Sequence, residues 1–208
     1  MNKHILRFFQ IVSDVFGPLS VPTYGMIVAM WLTPLNVLPE RNKILVTLLI
    51  ALFTGLLPLL FIAGLIRMGK VSDNSISDRR QRPLPYSVTT VCYIAAALFL
   101  GSVRAPLWLQ MFFYGAAFAT LVALLISFGW KISAHITALG GFVGLLGWLA
   151  IDGLADVNAM MLLSVGVILA GLVGTSRLAL GRHTLGQVAA GFILGLICTL
   201  LPNLIIYF

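Results

Sequence analysis

The chain has 208 residues, 60% of them hydrophobic and 9% charged, with a mean hydropathy of +1.06. Soluble domains carry about a quarter of their residues as charged types, so this composition cannot cover a water-facing globule, and its solvent is largely lipid. A cytosolic enzyme, a disordered tail and a secreted disulfide scaffold are excluded; the net charge of +7 then points to anionic headgroups or phosphorylated ligands rather than nucleic acid.

Residues 1–19 mix Lys3, Arg7 and Asp14 with Ile5, Leu6, Phe8, Phe9, Ile11, Val12 and Phe16. The apolar run is broken too early for a signal-peptide core, and helical spacing makes the segment an interfacial amphipathic helix that anchors rather than catalyses. Residues 20–208 read as a single transmembrane domain. A membrane-crossing helix needs roughly 20 apolar residues, and such stretches lie near 20–38, 44–66, 86–103, 106–129, 133–151, 158–175 and 185–207. The expected fold is therefore an all-α polytopic bundle of six to seven spans. Gly101, Arg104 and Pro106 interrupt one long apolar stretch, which reads as a hairpin with a very short turn. Cys92 and Cys198 lie inside apolar runs and behave as small hydrophobes. Small residues recur four apart at Gly140 and Gly144, Ala170 and Gly174, and Gly191 and Gly195, a spacing that lets helix backbones approach closely.

The polar residues gather on one side. Alternation of the spans puts the N-terminus and the loops 2–3, 4–5 and 6–7 together. That side holds Lys3, Arg7, Arg67, Lys70, Arg79, Arg80, Arg82, Lys131, Arg177 and Arg182, ten of the thirteen basic residues. Arg41, Lys43 and Arg104 fall on the other, while His4, His135 and His183 all lie on or beside the basic side. An anion held at one membrane face is the simplest physical reason. Three clusters define that face: Ser77 to Pro85 with Arg79, Arg80 and Arg82; Lys131-Ile132-Ser133-Ala134-His135 at the start of a span; and Ser176-Arg177 followed by His183 and Gln187. Arginine offers a planar fork that matches phosphate oxygens, and a helix start adds free N–H groups.

In this order the clusters resemble the signatures of the type-2 phosphatidic acid phosphatases: Lys-x6-Arg-Pro, Pro-Ser-Gly-His and Ser-Arg-x5-His-x3-Asp. The chain has Arg82-Pro83, Ile132-Ser133-Ala134-His135 and Ser176-Arg177-x5-His183-x3-Gln187, spread over roughly residues 67–190. The resemblance implies phosphoryl transfer with no metal or other cofactor. His183 is then the nucleophile that forms a phosphohistidine, and His135 the general acid for the departing lipid alkoxide. Arg82, Arg177, Ser133 and Ser176 are expected at the phosphate.

Three positions depart from the pattern. Ser75 stands where the family has Lys, so Arg79, Arg80 or Lys70 is expected to substitute, with Arg79 or Arg80 favoured. Ile132 and Ala134 replace Pro and Gly without removing a catalytic atom. Gln187 replaces the Asp that orients the nucleophile; its amide oxygen can accept an N–H bond but supplies no negative charge. A slow enzyme, a replacement carboxylate such as Asp78, and a retired site that binds lipid phosphate or a partner protein all stay open. A further alternative is a membrane prenyltransferase, because Asp73 to Pro85 resembles that family's aspartate-rich loop and Asp152 with Asp156 gives a second Asp-x3-Asp. Substrate candidates are phosphatidate, phosphatidylglycerol phosphate and a polyprenyl diphosphate. The expected location is a bacterial inner membrane, and the basic imbalance leans toward a cytoplasmic site face. Membrane lipids are the expected surroundings, and oligomeric state stays open.

Overall fold

The computed structural model describes residues 3–73, 76 and 78–208. All its regular structure is helical: α1 Lys3–Val15, α2 Val21–Trp31, α3 Glu40–Ala51, α4 Leu57–Arg67, α5 Pro83–Ser102, α6 Leu107–Gly129, α7 Ala134–Ile151, α8 Ala159–Ala179 and α9 Leu185–Tyr207. A π-turn, Leu52–Leu56, fuses α3 and α4 into one run, Glu40–Arg67. Its cause is local: Pro58 has no N–H for the carbonyl of Thr54, so the ladder widens there. Six runs (Glu40–Arg67, α5, α6, α7, α8 and α9) have 18–28 residues, each with an apolar stretch of 18 residues. At 1.5 Å per residue they are about 27–42 Å long, matching a hydrocarbon layer of about 30 Å. The protein is an integral multi-pass membrane protein. Large side chains such as Leu48, Phe118, Leu125, Ile168 and Ile205 face outward and are more than half exposed, as lipid contact requires.

The stretch near 20–38 is not the uninterrupted span expected there. Its helix, α2, has only 11 residues, and a 3₁₀ turn, Pro34–Val37, follows. Two prolines set these limits. Gly17-Pro18 separates α1 from α2, and Thr33-Pro34 ends α2, with Thr33 Oγ1 donating to Ala29 O and accepting from Leu35 N. The chain still passes from one end of the bundle to the other: Ser13 meets Arg177 at one end, and at the other Leu32 O accepts the Asp156 N–H. The first traverse is thus a broken helix.

The hairpin between α5 and α6 forms as expected, turning over residues 103–106, with Arg104 at a φ of 57° and Ala105 N–H bonded to Leu100 O. Helix α7 is the most enclosed element and contributes Leu139, Leu145, Trp148 and Leu149 to the main core. It packs most closely on α9. An added Cβ at Gly140 would strike the α9 backbone at Phe192, one at Gly144 the Thr199 hydroxyl of α9, and one at Gly195 the α7 backbone at Thr137 and Gly141. Across this seam Thr199 Oγ1 donates to Gly141 O at 2.9 Å. Both helices begin at the same end, so the close approach joins the residues that precede them.

Candidate active site

At that end meet the loops 68–82, 130–133 and 180–184 and the last turn of α1. Arg82 caps the start of α5 and is 2% exposed. Its Nη1 donates to Ile132 O at 2.9 Å and Ser127 Oγ at 3.2 Å, its Nε to Ile76 O at 3.4 Å, and its guanidinium lies over the Tyr86 ring. Arg177, in the last turn of α8, is 4% exposed; its Nη1 donates to Ser13 Oγ at 2.8 Å and its buried Nε has no hydrogen-bond partner. The hydrogen bonds of both guanidiniums go to neutral oxygens. The Asp14 carboxylate acts on Arg177 through its charge; burying two cations at one site costs several kcal/mol and favours an anion between them.

The histidines complete the cluster. His135 lies in the first turn of α7, and its ring bonds to the Ser13 backbone, so Ser13 joins His135 to Arg177. His183 sits just before α9. Its Nδ1 is 3.0 Å from Gln187 Oε1, which also accepts the Thr184 N–H at 3.2 Å. A backbone N–H must meet an acceptor, so the shared atom is the amide oxygen, and His183 Nδ1 is the donor. Nε2 therefore carries the lone pair of the ring. Gln187 holds this position because Thr184 and Gln187 form a reciprocal capping box at the start of α9. Burial lowers the pKa of His183 to about 4, helped by Arg177, Lys131 and Arg82 and opposed by the Gln187 bond. The imidazole is neutral at pH 7. Burial and the charges of Arg82, Arg177 and Arg182 also lower the pKa of Lys131. Ser133, the N-cap of α7, is fully buried, and its Oγ has no partner, while its N–H reaches Gln187 O at 3.4 Å.

The structure thus brings Arg82, Arg177, Ser133, His135, His183 and Gln187 to one end. Three expected phosphate ligands point elsewhere. Arg79 Nη1 donates to Phe128 O at 2.5 Å, satisfying the carbonyl end of α6. Arg80 is exposed, with its N–H held by Asp78 Oδ1. Ser176 Oγ donates to Leu172 O inside its own helix. Asp78 is likewise engaged as a cap. Ser75 lies outside the described residues. Lys131 is the basic residue whose charge acts on His183 together with both arginines; the sequence pattern put it in the second cluster without giving it this place. Ser13 had no sequence signal beyond its position in the amphipathic segment.

The far end is different in kind. Asp156 there accepts from Asn36 Nδ2 at 2.6 Å, and Lys43 pairs with Glu40 at 2.6 Å. Asp152 ends α7, about 27 Å along that helix from Ile132, whose carbonyl holds Arg82. Asp78 and Asp152 thus stand at opposite ends of the bundle. No known protein-family model, curated protein or solved structure matches the chain.

Proposed function

We propose that the protein is a membrane phosphatase acting on a lipid phosphate through a phosphohistidine intermediate. One observation carries this reading: among the described residues, two buried guanidiniums, whose hydrogen bonds go to neutral oxygens and of which Arg177 also feels the Asp14 carboxylate, flank a neutral histidine whose Nε2 carries the lone pair. Arg82, Arg177, Lys131 and the Ser133 hydroxyl hold the phosphate oxygens, and the N-termini of α7 and α9 add N–H donors. The His183 Nε2 lone pair attacks phosphorus in line with the leaving oxygen. As the N–P bond forms and the P–O bond to the lipid breaks, His135 gives its proton to the alkoxide. The bound phosphate supplies the negative charge that favours protonated His135 among these cations. Water then loses a proton to His135 and attacks the phosphohistidine, the N–P bond breaks, and inorganic phosphate leaves.

Gln187 fixes the His183 tautomer without stabilising an imidazolium. That favours a second reading, a slow or inactive member of the same kind that binds lipid phosphate. The charge asymmetry favours a cytoplasmic site face, in what we take to be a bacterial inner membrane: setting aside Arg79, Arg80, Arg82 and Arg177, the site end still has six basic residues against three. The expected outcome of His183→Ala is complete loss of phosphate release from detergent-solubilised lipid phosphates with unchanged thermal unfolding. Wild-type turnover in that variant would overturn the mechanism; a wild-type protein that binds these lipids without turnover would leave the binding reading.

A further inference from the structure

Behind the phosphate cluster lies a cavity of about 400 Å³. His135 belongs both to the charged cluster and to the wall of this cavity. One side is formed by the break between α1 and α2, where Gly17, Pro18, Leu19 and Ser20 line it with non-helical backbone. Within a bilayer, non-helical backbone is tolerated where it is buried in protein or lines a cavity. On α6 the wall runs from Ala123 through Ala119 and Ala116 to Phe112, about 16 Å at 1.5 Å per residue. Small residues on one helix face leave the room open.

Five of the hydroxyls in the wall are already engaged. Thr89 donates to Pro85 O, Thr120 to Ala116 O, Thr137 to Ser133 O, Thr199 to Gly141 O and Tyr93 to Pro18 O. With their polar atoms bonded to backbone carbonyls, these side chains offer methyl and ring surface. The deep part of the cavity is suited to hydrocarbon, and its polar end is at Ser13, Asp14 and His135. At about 30 Å³ per water-sized group, the volume holds on the order of a dozen such groups. That is about the volume of one hydrocarbon tail of moderate length.

We infer that the cavity takes the tail of a single-chain lipid phosphate, with its phosphate among Arg82, Arg177 and His183 and its ester oxygen beside His135. This rests on reading the basic cluster as a lipid-phosphate site. A leaving alkoxide protonated by His135 lies on the cavity side of the phosphate, so the chain attached to it continues inward instead of into bulk lipid.

Photolabelling of the full-length protein in nanodiscs tests this, with hexadecyl phosphate carrying a diazirine near the chain end as probe. The expected result is labelling of α6 around Phe112–Ala116 and of α9 near Thr199. Ala119→Leu, which fills the cavity, should cut that labelling about tenfold, with Ala116→Leu as a second filling variant. Unlabelled hexadecyl phosphate should compete, while hexadecanol and a two-chain phosphatidate should compete poorly. Label confined to outward-facing Phe118, Leu121 and Leu125, or equal competition by hexadecanol, would overturn the tail site. Cavity labelling without phosphate release from any lipid phosphate would uphold the tail site and remove the catalytic reading. Phosphate release without cavity labelling would do the reverse.

Discussion

Gln187 shows how one side chain sets both geometry and charge. Its amide oxygen accepts from Thr184 N–H and His183 Nδ1–H, so the helix cap and the proposed nucleophile share an acceptor. Because this acceptor is neutral, burial and nearby cations dominate, and His183 titrates near 4. A nucleophile must be unprotonated, so the acid limb of kcat/KM against pH is expected near that value, well below the ordinary imidazole range of about 6.5. Gln187→Asp puts a carboxylate on Nδ1, favours the charged ring and raises its pKa. The acid limb should then move upward by a unit or more (a direction fixed by the sign of the new charge). The same carboxylate stabilises the imidazolium that forms as Nε2 bonds phosphorus, so kcat should rise at least about tenfold, part of the ~10⁴ lost when the analogous Asp of serine proteases becomes Asn. An unshifted acid limb would assign it to another group. The triad-like spacing of His183 and Gln187 was legible in sequence because a helical step of four is a local rule. The tautomer was not, because it depends on the Thr184 N–H pointing at the same oxygen.

Among the elements, the seam between α7 and α9 determines whether the site assembles. The glycine spacing along both helices announces close packing, and the structure supplies its direction: the two helices run parallel, with both starts at the cluster. Gly195→Ala drives a methyl into the Thr137 carbonyl and forces the helices apart. The expected cost is about 3 kcal/mol, read as lower thermal stability in detergent, with loss of phosphate binding as Ser133 and His183 separate. Gly171→Ala, on an open face of α8 with nothing within 4 Å of an added Cβ, should instead gain about 0.5–1 kcal/mol from helix propensity. Equal effects of the two would remove the seam's special place. The N-terminal segment carries a different lesson. Ile5, Phe8, Ile11 and Val15 are exposed along α1, matching the apolar stripe seen in sequence, while Val12 and Ser13 are buried in the bundle. The stripe is periodic and therefore readable; the contact of Ser13 with Arg177, 164 residues away, has no periodic signature.

For the molecule as a whole, charge distribution and topology agree. The ten basic residues grouped by span alternation belong to α1, residues 67–82, Lys131 and residues 177–182, the segments at the site end. Cysteines introduced at Ser72 and Asp152, after Cys92 and Cys198 are changed to Ala, report on the two ends. A membrane-impermeant thiol reagent should label them from opposite sides of the membrane, and Ser72→Cys should be protected in intact cells if the site is cytoplasmic. Labelling of both from one side would contradict the crossing pattern; labelling of Ser72→Cys from outside would reverse the sidedness alone.

Membrane residence, helix content, the α5–α6 hairpin and the common end of the three polar clusters follow from hydropathy, proline and glycine positions and parity along the chain. Each is a local or counting property, so the amino-acid sequence determines it unaided. The tertiary structure decided the rest. Arg79 or Arg80 was expected to join Arg82 at the phosphate in place of the missing Lys, yet Arg82 is buried against Ile132 while Arg79 serves the carbonyl end of α6 and Arg80 is exposed. Lys131, Ser13 and the cavity acquired their places in the same way. These depend on how a broken first helix packs beside α8 and how closely α7 meets α9, and contacts between distant segments leave no spacing rule in a single chain.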